Sequence, residues 1–268
     1  MADCIQPAAM SRFAGVILDC RFSLTDADAG YAAYTQGRIP RAHYLHLERD
    51  LSAPPALHGG RHPLPEPGHF AATLARLGID AATDVVVYDD ASYAFAARCW
   101  WMMRALGYRQ PRLLAGGYRA WKTLGLAPER GEAHAGARAV APARVPDTWP
   151  LCCDRDGLRE LQARGARLVD AREAARYRGE VEPIDPVAGH IPGAENRPWQ
   201  GFVEASGAFA QSEALRERWG DLATADPLVV YCGSGVSACV NLFTLARLGR
   251  DDVWLYGGSW SDWCSYLS

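Results

Sequence analysis

Cys232 closes the run Pro227-Leu-Val-Val-Tyr-Cys232 and is followed by Gly-Ser-Gly-Val-Ser-Ala238. An apolar strand that runs into a small-residue loop, then into an apolar helix from about Val236, sets this thiol in a ring of backbone N–H groups. Gly233 and Gly235 let the chain curl without Cβ clashes, and the helix that follows presents its positive end to the sulfur. A thiolate so placed is stabilised and nucleophilic. A cysteine that only fills a core needs no Gly-Ser-Gly behind it, so the loop composition favours reactivity over packing.

The rest of the chain bounds what that thiol can serve. With 268 residues, two domains are expected. The 28 Lys and Arg against 31 Asp and Glu give a net charge of −3, which offers no overall positive field for nucleic acid or an anionic membrane. Any anion site must be local. No apolar run approaches the roughly 18 residues of a membrane span, and the start Met1-Ala-Asp-Cys-Ile-Gln-Pro lacks the basic flank and apolar stretch of a signal peptide. A soluble, cytoplasmic protein is expected. The eight cysteines are irregularly spaced and include the vicinal pair Cys152-Cys153, without any Cys-x-x-Cys or Cys/His zinc spacing. Two histidines on the loop His58-Gly-Gly-Arg-His62 have no third ligand close in sequence, so no metal is expected. Neither a phosphate-binding Gly-x-x-x-x-Gly-Lys loop nor a dinucleotide fingerprint occurs, and no cofactor is expected.

The elements that must position Cys232 occur twice. Val16-Ile-Leu-Asp-Cys-Arg21 matches Arg167-Leu-Val-Asp-Ala-Arg172, Gly37-Arg-Ile-Pro-Arg-Ala42 matches Gly189-His-Ile-Pro-Gly-Ala194, and Asp84-Val-Val-Val-Tyr-Asp89 matches Pro227-Leu-Val-Val-Tyr-Cys232. Both halves end alike, Leu113-Leu-Ala-Gly-Gly117 with Trp121 against Trp254-Leu-Tyr-Gly-Gly258 with Trp263. The Ala-, Pro-, Gly- and Arg-rich stretch from Pro128 to Pro150 reads as a linker, giving domains 1–138 and 139–268. Apolar strand runs alternate with helical segments such as Phe70–Gly78 and Gly157–Arg164. That alternation predicts an α/β protein of two domains, each a mostly parallel sheet flanked by helices, with ligands beyond the strands' carboxyl ends. Asp89 stands where the second half has Cys232, so one half alone carries the nucleophile and the other is a scaffold or one wall of a cleft.

Asp-x-Arg, Gly-His-Ile-Pro-Gly-Ala and Cys-Gly-Ser-Gly-Val-Ser-Ala in the second half together resemble the tandem rhodanese domains of two-domain sulfurtransferases. Cys-Gly-Ser-Gly-Val is similar to the loop of the 3-mercaptopyruvate type. Animal thiosulfate enzymes carry two basic residues after the cysteine, where this chain has Gly233 and Ser234. The resemblance implies attack of Cys232 on a donor sulfur, a persulfide held by the loop residues Gly233, Gly235, Val236 and Ser237, and release to a thiol or cyanide. It also implies that Arg176 holds the anionic end of the donor. A second arginine often follows nine residues on, but Asp185 stands there, leaving Arg178 or Arg197 to take its place. A Ser–His–acid set that relays a proton to the departing enolate maps onto Ser234, His62 and Glu48. Asp170 and Arg172 recur as Asp19 and Arg21 in the half without the cysteine. They and His190 are therefore expected to tie a strand end to the Gly-His-Ile-Pro turn.

Three rival classes remain. A cysteine phosphatase needs an arginine six after the cysteine, and Ala238 is there. Transfer from thiosulfate needs an anion site but no acid for an enolate. A persulfide carrier for a protein partner needs the thiol and little turnover. The expected partners are a small-molecule sulfur donor and a thiol acceptor such as thioredoxin, with a monomer as the default assembly.

Overall fold

The computed structural model describes residues 3–90, 93–109, 111–132 and 139–267. In the first half the strands are β1 (Cys4–Ile5), β2 (Val16–Asp19), β3 (His43–Tyr44), β4 (Val85–Tyr88) and β5 (Arg112–Leu114). The second half repeats them as β6 (Cys152–Cys153), β7 (Arg167–Asp170), β8 (Ala194–Asn196), β9 (Leu228–Tyr231) and β10 (Trp254–Tyr256). Each half forms one parallel five-stranded sheet, in the orders β1-β5-β4-β2-β3 and β6-β10-β9-β7-β8. The two orders are the same once the second is renumbered, as a duplicated sequence requires. The central strands Val-Val-Val-Tyr and Leu-Val-Val-Tyr are buried on both faces, which is what helices on both sides of a parallel sheet demand.

The helices of the first half are α1 (Ala29–Gln36), α2 (Leu47–Asp50), α3 (Pro67–Arg76), α4 (Ala94–Ala105) and α5 (Gly117–Lys122). Those of the second are α6 (Arg155–Ala163), α7 (Ala174–Tyr177), α8 (Ser212–Trp219), α9 (Ala238–Arg247) and α10 (Ser259–Cys264). Helix α9 begins at Ala238, two residues later than its apolar pattern suggests, because the turn bonds Cys239 N–H to Val236 O and Val240 N–H to Ser237 O precede it. That delay lengthens the loop after Cys232.

The halves meet through α4 and α9, which pack along each other with Trp100 edge-on to Phe243 at 4.9 Å. One continuous apolar cluster runs through this seam, so the interface belongs to the core. Residue 138, at the expected domain boundary, lies outside the described residues. Part of the stretch after it turns back onto the first half. Val140 N–H donates to Ala75 O, and Trp149 stacks against Trp101 while its Nε1–H reaches Pro65 O at 2.6 Å.

The Asp-x-Arg pairs tie each sheet to its neighbouring turn in the same way. Arg172 grips Asp170 at 2.7 Å and donates to Gly189 O at 2.6 Å, while Arg21 grips Asp19 at 2.6 Å and donates to Gly37 O at 2.9 Å. His190 stacks on Tyr177 and bonds its backbone carbonyl. Geometry repeated in the half without a cysteine is scaffold rather than catalysis.

Candidate active site

Strand β9 delivers Cys232 to the carboxyl edge of its sheet, where the start of α10 clamps its backbone. Cys232 N–H donates to Ser259 Oγ at 3.1 Å, Trp260 N–H donates to Cys232 O at 3.0 Å, and Ser261 N–H donates to Gly233 O at 2.9 Å. Ser259 adopts a left-handed φ of 57° to present its hydroxyl, which itself donates to Tyr256 O. Gly235 has a φ of 75°, and a Cβ there would lie 2.3 Å from Gly257 O, so no other residue fits this bend.

The loop leaves its donors unused. Among the described residues, the N–H groups of Gly233 to Ser237 make no hydrogen bond to a protein acceptor. The first half shows what such a loop does when its own residue is an acid. The Asp89 carboxylate accepts N–H bonds from Tyr93, Phe95 and Ala96 at 2.9–3.2 Å. Burial pushes the Asp89 carboxyl up to about 6, and these three donors act against that rise. Where Asp89 supplies an anion to its own loop, Cys232 leaves the place for a sulfur anion and what it carries.

Cys232 lines a cavity of about 400 Å³ together with Gly233, Ser234, Val236, Ser237 and Arg176, walled from the first half by Leu24, Arg61, Ala94 and Phe95. Gly235, expected among the donor-binding residues, does not line it. Its carbonyl turns away to accept from Arg98 Nη1 at 3.0 Å.

Ser234 and His62, from opposite halves, meet with Oγ 2.8 Å from Nδ1. Burial, then the charges of Arg98 and Arg61, lower the His62 imidazole from 6.5 to about 4, so it is neutral near pH 7. Glu48 does not complete this pair as expected. It lies exposed on α2, whose start is capped by His46 Nδ1 accepting from Glu48 N–H at 3.1 Å. Among the described residues its carboxylate makes no hydrogen bond or ion pair. A carboxylate beside His62 would raise the imidazole, whereas its charged neighbours are arginines and lower it.

Arg176 reaches the cavity from α7, held by Glu182 at 2.6 Å and Asp185 at 3.2 Å. Asp185 also pairs with Arg61. A Cβ on Gly233 would lie 3.2 Å from Arg61 Nη2 and 3.4 Å from Arg176 Nη1, so two guanidiniums flank one point on the loop. Neither Arg178 nor Arg197 joins them. Arg178 pairs with Glu180 on the surface, and Arg197 lies near Glu195 at 3.6 Å. The second cation comes from the other half, and Asp185 is what holds it.

This site matches known proteins over nearly its whole extent. The rhodanese-like domain matches residues 7–124 and again 154–266. The chain belongs to the rhodanese-like family. It is 46% identical over 257 residues to a probable 3-mercaptopyruvate sulfurtransferase of Pseudomonas aeruginosa, covering 92% of this chain and 88% of the relative. It is also 39% identical to a putative thiosulfate sulfurtransferase of Mycobacterium tuberculosis, covering 93% and 87%. Among solved structures, the 3-mercaptopyruvate sulfurtransferase of Leishmania major superposes with a TM-score of 0.87 at 29% identity, covering 99% of this chain and 75% of that one. The Escherichia coli 3-mercaptopyruvate sulfurtransferase gives 0.79 at 30% identity, covering 97% and 100%.

Within this rhodanese-like framework, two arginines escaped the sequence reading, Arg61 and Arg98. The Gly60-Arg-His62 run carried a signal for Arg61, since it adjoins the candidate histidine. Arg98 carried none, because a single Arg within Ala-Ala-Arg-Cys-Trp-Trp looks like an ordinary helical position.

Proposed function

We propose that this protein is a sulfurtransferase that takes sulfur from 3-mercaptopyruvate and passes it to a thiol or cyanide through a Cys232 persulfide. The Cys232 thiolate attacks the donor sulfur. An S–S bond forms, the C–S bond breaks, and its electron pair leaves with pyruvate as an enolate. That enolate takes a proton at carbon and departs as pyruvate. The terminal persulfide sulfur is then attacked by the acceptor thiolate or by cyanide, and Cys232 leaves as thiolate.

The observation that carries this reading is the 2.8 Å contact between Ser234 and the neutral His62 beside Cys232. An enolate leaving group needs a proton and a neutral Ser–His pair can relay one, whereas sulfite leaving thiosulfate needs none. The Arg61 and Arg176 guanidiniums suit the donor's carboxylate. Loop donors from Gly233, Val236 and Ser237 hold the persulfide anion. The acceptor is a small thiol or the dithiol of a thioredoxin, met by a monomer. Eight free cysteines fit a reducing cytoplasm.

The test is steady-state sulfur transfer with 3-mercaptopyruvate and thiosulfate as donors, with Cys232→Ser alongside. A large kcat/KM advantage for mercaptopyruvate, lost in the variant, is expected. A preference for thiosulfate would overturn the donor assignment. Stable persulfidation of Cys232 with negligible turnover of either donor would replace the enzyme by a carrier.

A further inference from the structure

Arg98 is fully buried in the seam between the halves, yet among the described residues it meets no carboxylate. Its guanidinium is satisfied by backbone carbonyls alone. Nη1 donates to Gly235 O at 3.0 Å, Nη2 to His62 O at 3.0 Å, and Nε and Nη2 reach Leu51 O at 3.4 and 3.3 Å. Burying a cation without a counter-ion is costly, and hydrophobic residues of similar volume would pack the seam at less expense. Burial lowers the Arg98 guanidinium, but arginine stays charged in proteins.

Its three acceptors single out what it does. Gly235 follows Ser234, whose hydroxyl meets the His62 ring, and the carbonyl of that same His62 is another acceptor. Arg98, Gly235, Ser234 and His62 therefore close a ring across the domain interface. Counted back from the matching Leu106-Gly107 and Leu248-Gly249, Arg98 falls opposite the buried Val240 of α9. The charge thus sits in the half that lacks the nucleophile and points its donors at the half that has it.

The other charged groups around Cys232 are largely balanced. Arg172 is tied to Asp170 and Glu182, Arg176 to Glu182 and Asp185, and Arg61 to Asp185. His62 is neutral near pH 7, Glu173 borders the cavity, and burial raises Cys239 and keeps it a thiol. That leaves Arg98 as a fixed positive charge within electrostatic range of Cys232.

We propose that Arg98 is a positioning residue by which the first domain governs the nucleophile of the second. Its fork fixes the catalytic loop against His62, and its uncompensated charge stabilises the sulfur anion on Cys232. The inference rests on Cys232 as the nucleophile, not on the identity of the donor.

The test reads Cys232 without any donor. The rate of alkylation of the Cys232 peptide by iodoacetamide is followed against pH for wild type, Arg98→Gln and Arg98→Lys, each checked for folding by near-ultraviolet circular dichroism. In Arg98→Gln the midpoint should rise by about one pH unit, because a neutral donor replaces the charge. In Arg98→Lys the midpoint should stay within about 0.3 unit while kcat falls at least about fivefold at nearly constant donor KM, because an ammonium keeps the charge and loses the fork. An unchanged midpoint in folded Arg98→Gln, or an equal rise in Arg98→Lys, would overturn the electrostatic role. If Arg98→Gln does not fold, wild-type kcat in Arg98→Lys would overturn the positioning role. A preference for thiosulfate in the donor assay would leave these readouts standing.

Discussion

Replacing Arg61 by Met should weaken use of mercaptopyruvate by 10- to 30-fold in kcat/KM, mostly through KM. The figure follows from where Arg61 lies. Its Nη2 and the Nη1 of Arg176 approach one point on Gly233 at 3.2 and 3.4 Å, so a donor carboxylate there takes a charge-assisted bond from each. Such bonds contribute about 1.5–3 kcal/mol. The Arg61 side chain keeps 29% of its surface in solvent, which argues for the lower half, about 1.5–2 kcal/mol, at 1.4 kcal/mol per decade. The change also leaves the buried Asp185 with Arg176 alone, at 3.2 Å, so part of the loss is repulsion of the donor by Asp185. Arg61→Met with Asp185→Asn should therefore recover some of it. The assay compares 3-mercaptopyruvate with mercaptoacetone, which has the same sulfur and ketone but no carboxylate. The carboxylate-free donor should change by less than about twofold. Equal losses for both donors, or none for mercaptopyruvate, would refute the assignment of Arg61 to the anion.

Ser234→Ala should lower kcat with mercaptopyruvate by about 100-fold, the scale of proton transfer by a positioned group, with thiosulfate turnover little changed. Glu48→Gln should leave both donors at wild-type rates, and a large loss there would restore the acid to the relay. His62 is held near 4 in the fold against 6.5 in the unfolded chain, so the unfolded state binds the proton first. Stability from this group is present above about pH 6.5 and is lost as pH falls toward 4, by about 3 kcal/mol at most. Urea unfolding at pH 7.5 and 4.5 should show a smaller difference for His62→Gln than for wild type, and identical differences would count against it. Gly235→Ala should cost roughly 3 kcal/mol or more, since the new Cβ meets Gly257 O at 2.3 Å at a left-handed φ. Gly68→Ala, in open space on α3, should instead raise the melting temperature.

Local patterns made the scaffold and the nucleophile legible. Buried Val-Val-Val-Tyr and Leu-Val-Val-Tyr runs, each followed by an apolar helix, specify parallel strands, and the duplicated Asp-x-Arg and Gly-x-Ile-Pro turns specify the same sheet order twice. Cys232 stood out because Gly233 and Gly235 are demands of the backbone itself, as the approach of Gly235 to Gly257 O shows. His62 and Ser234 could be named from their motifs, although 172 positions separate them.

The tertiary structure decided which charges surround the thiol. Arg98 reaches Gly235 across 137 positions, and Arg61 reaches Asp185 across 124. Neither link leaves a periodicity or spacing in the chain, because both depend on how α4 packs against α9. Glu48 shows the same limit from the other side, since a residue of suitable type at a suitable place in a motif ended on the exposed face of a short helix. Backbone conformation is written in neighbouring residues, so sequence determined the two sheets and the cysteine loop. The electrostatics of the site arise where two separately specified domains meet, and that meeting exists only in the folded chain.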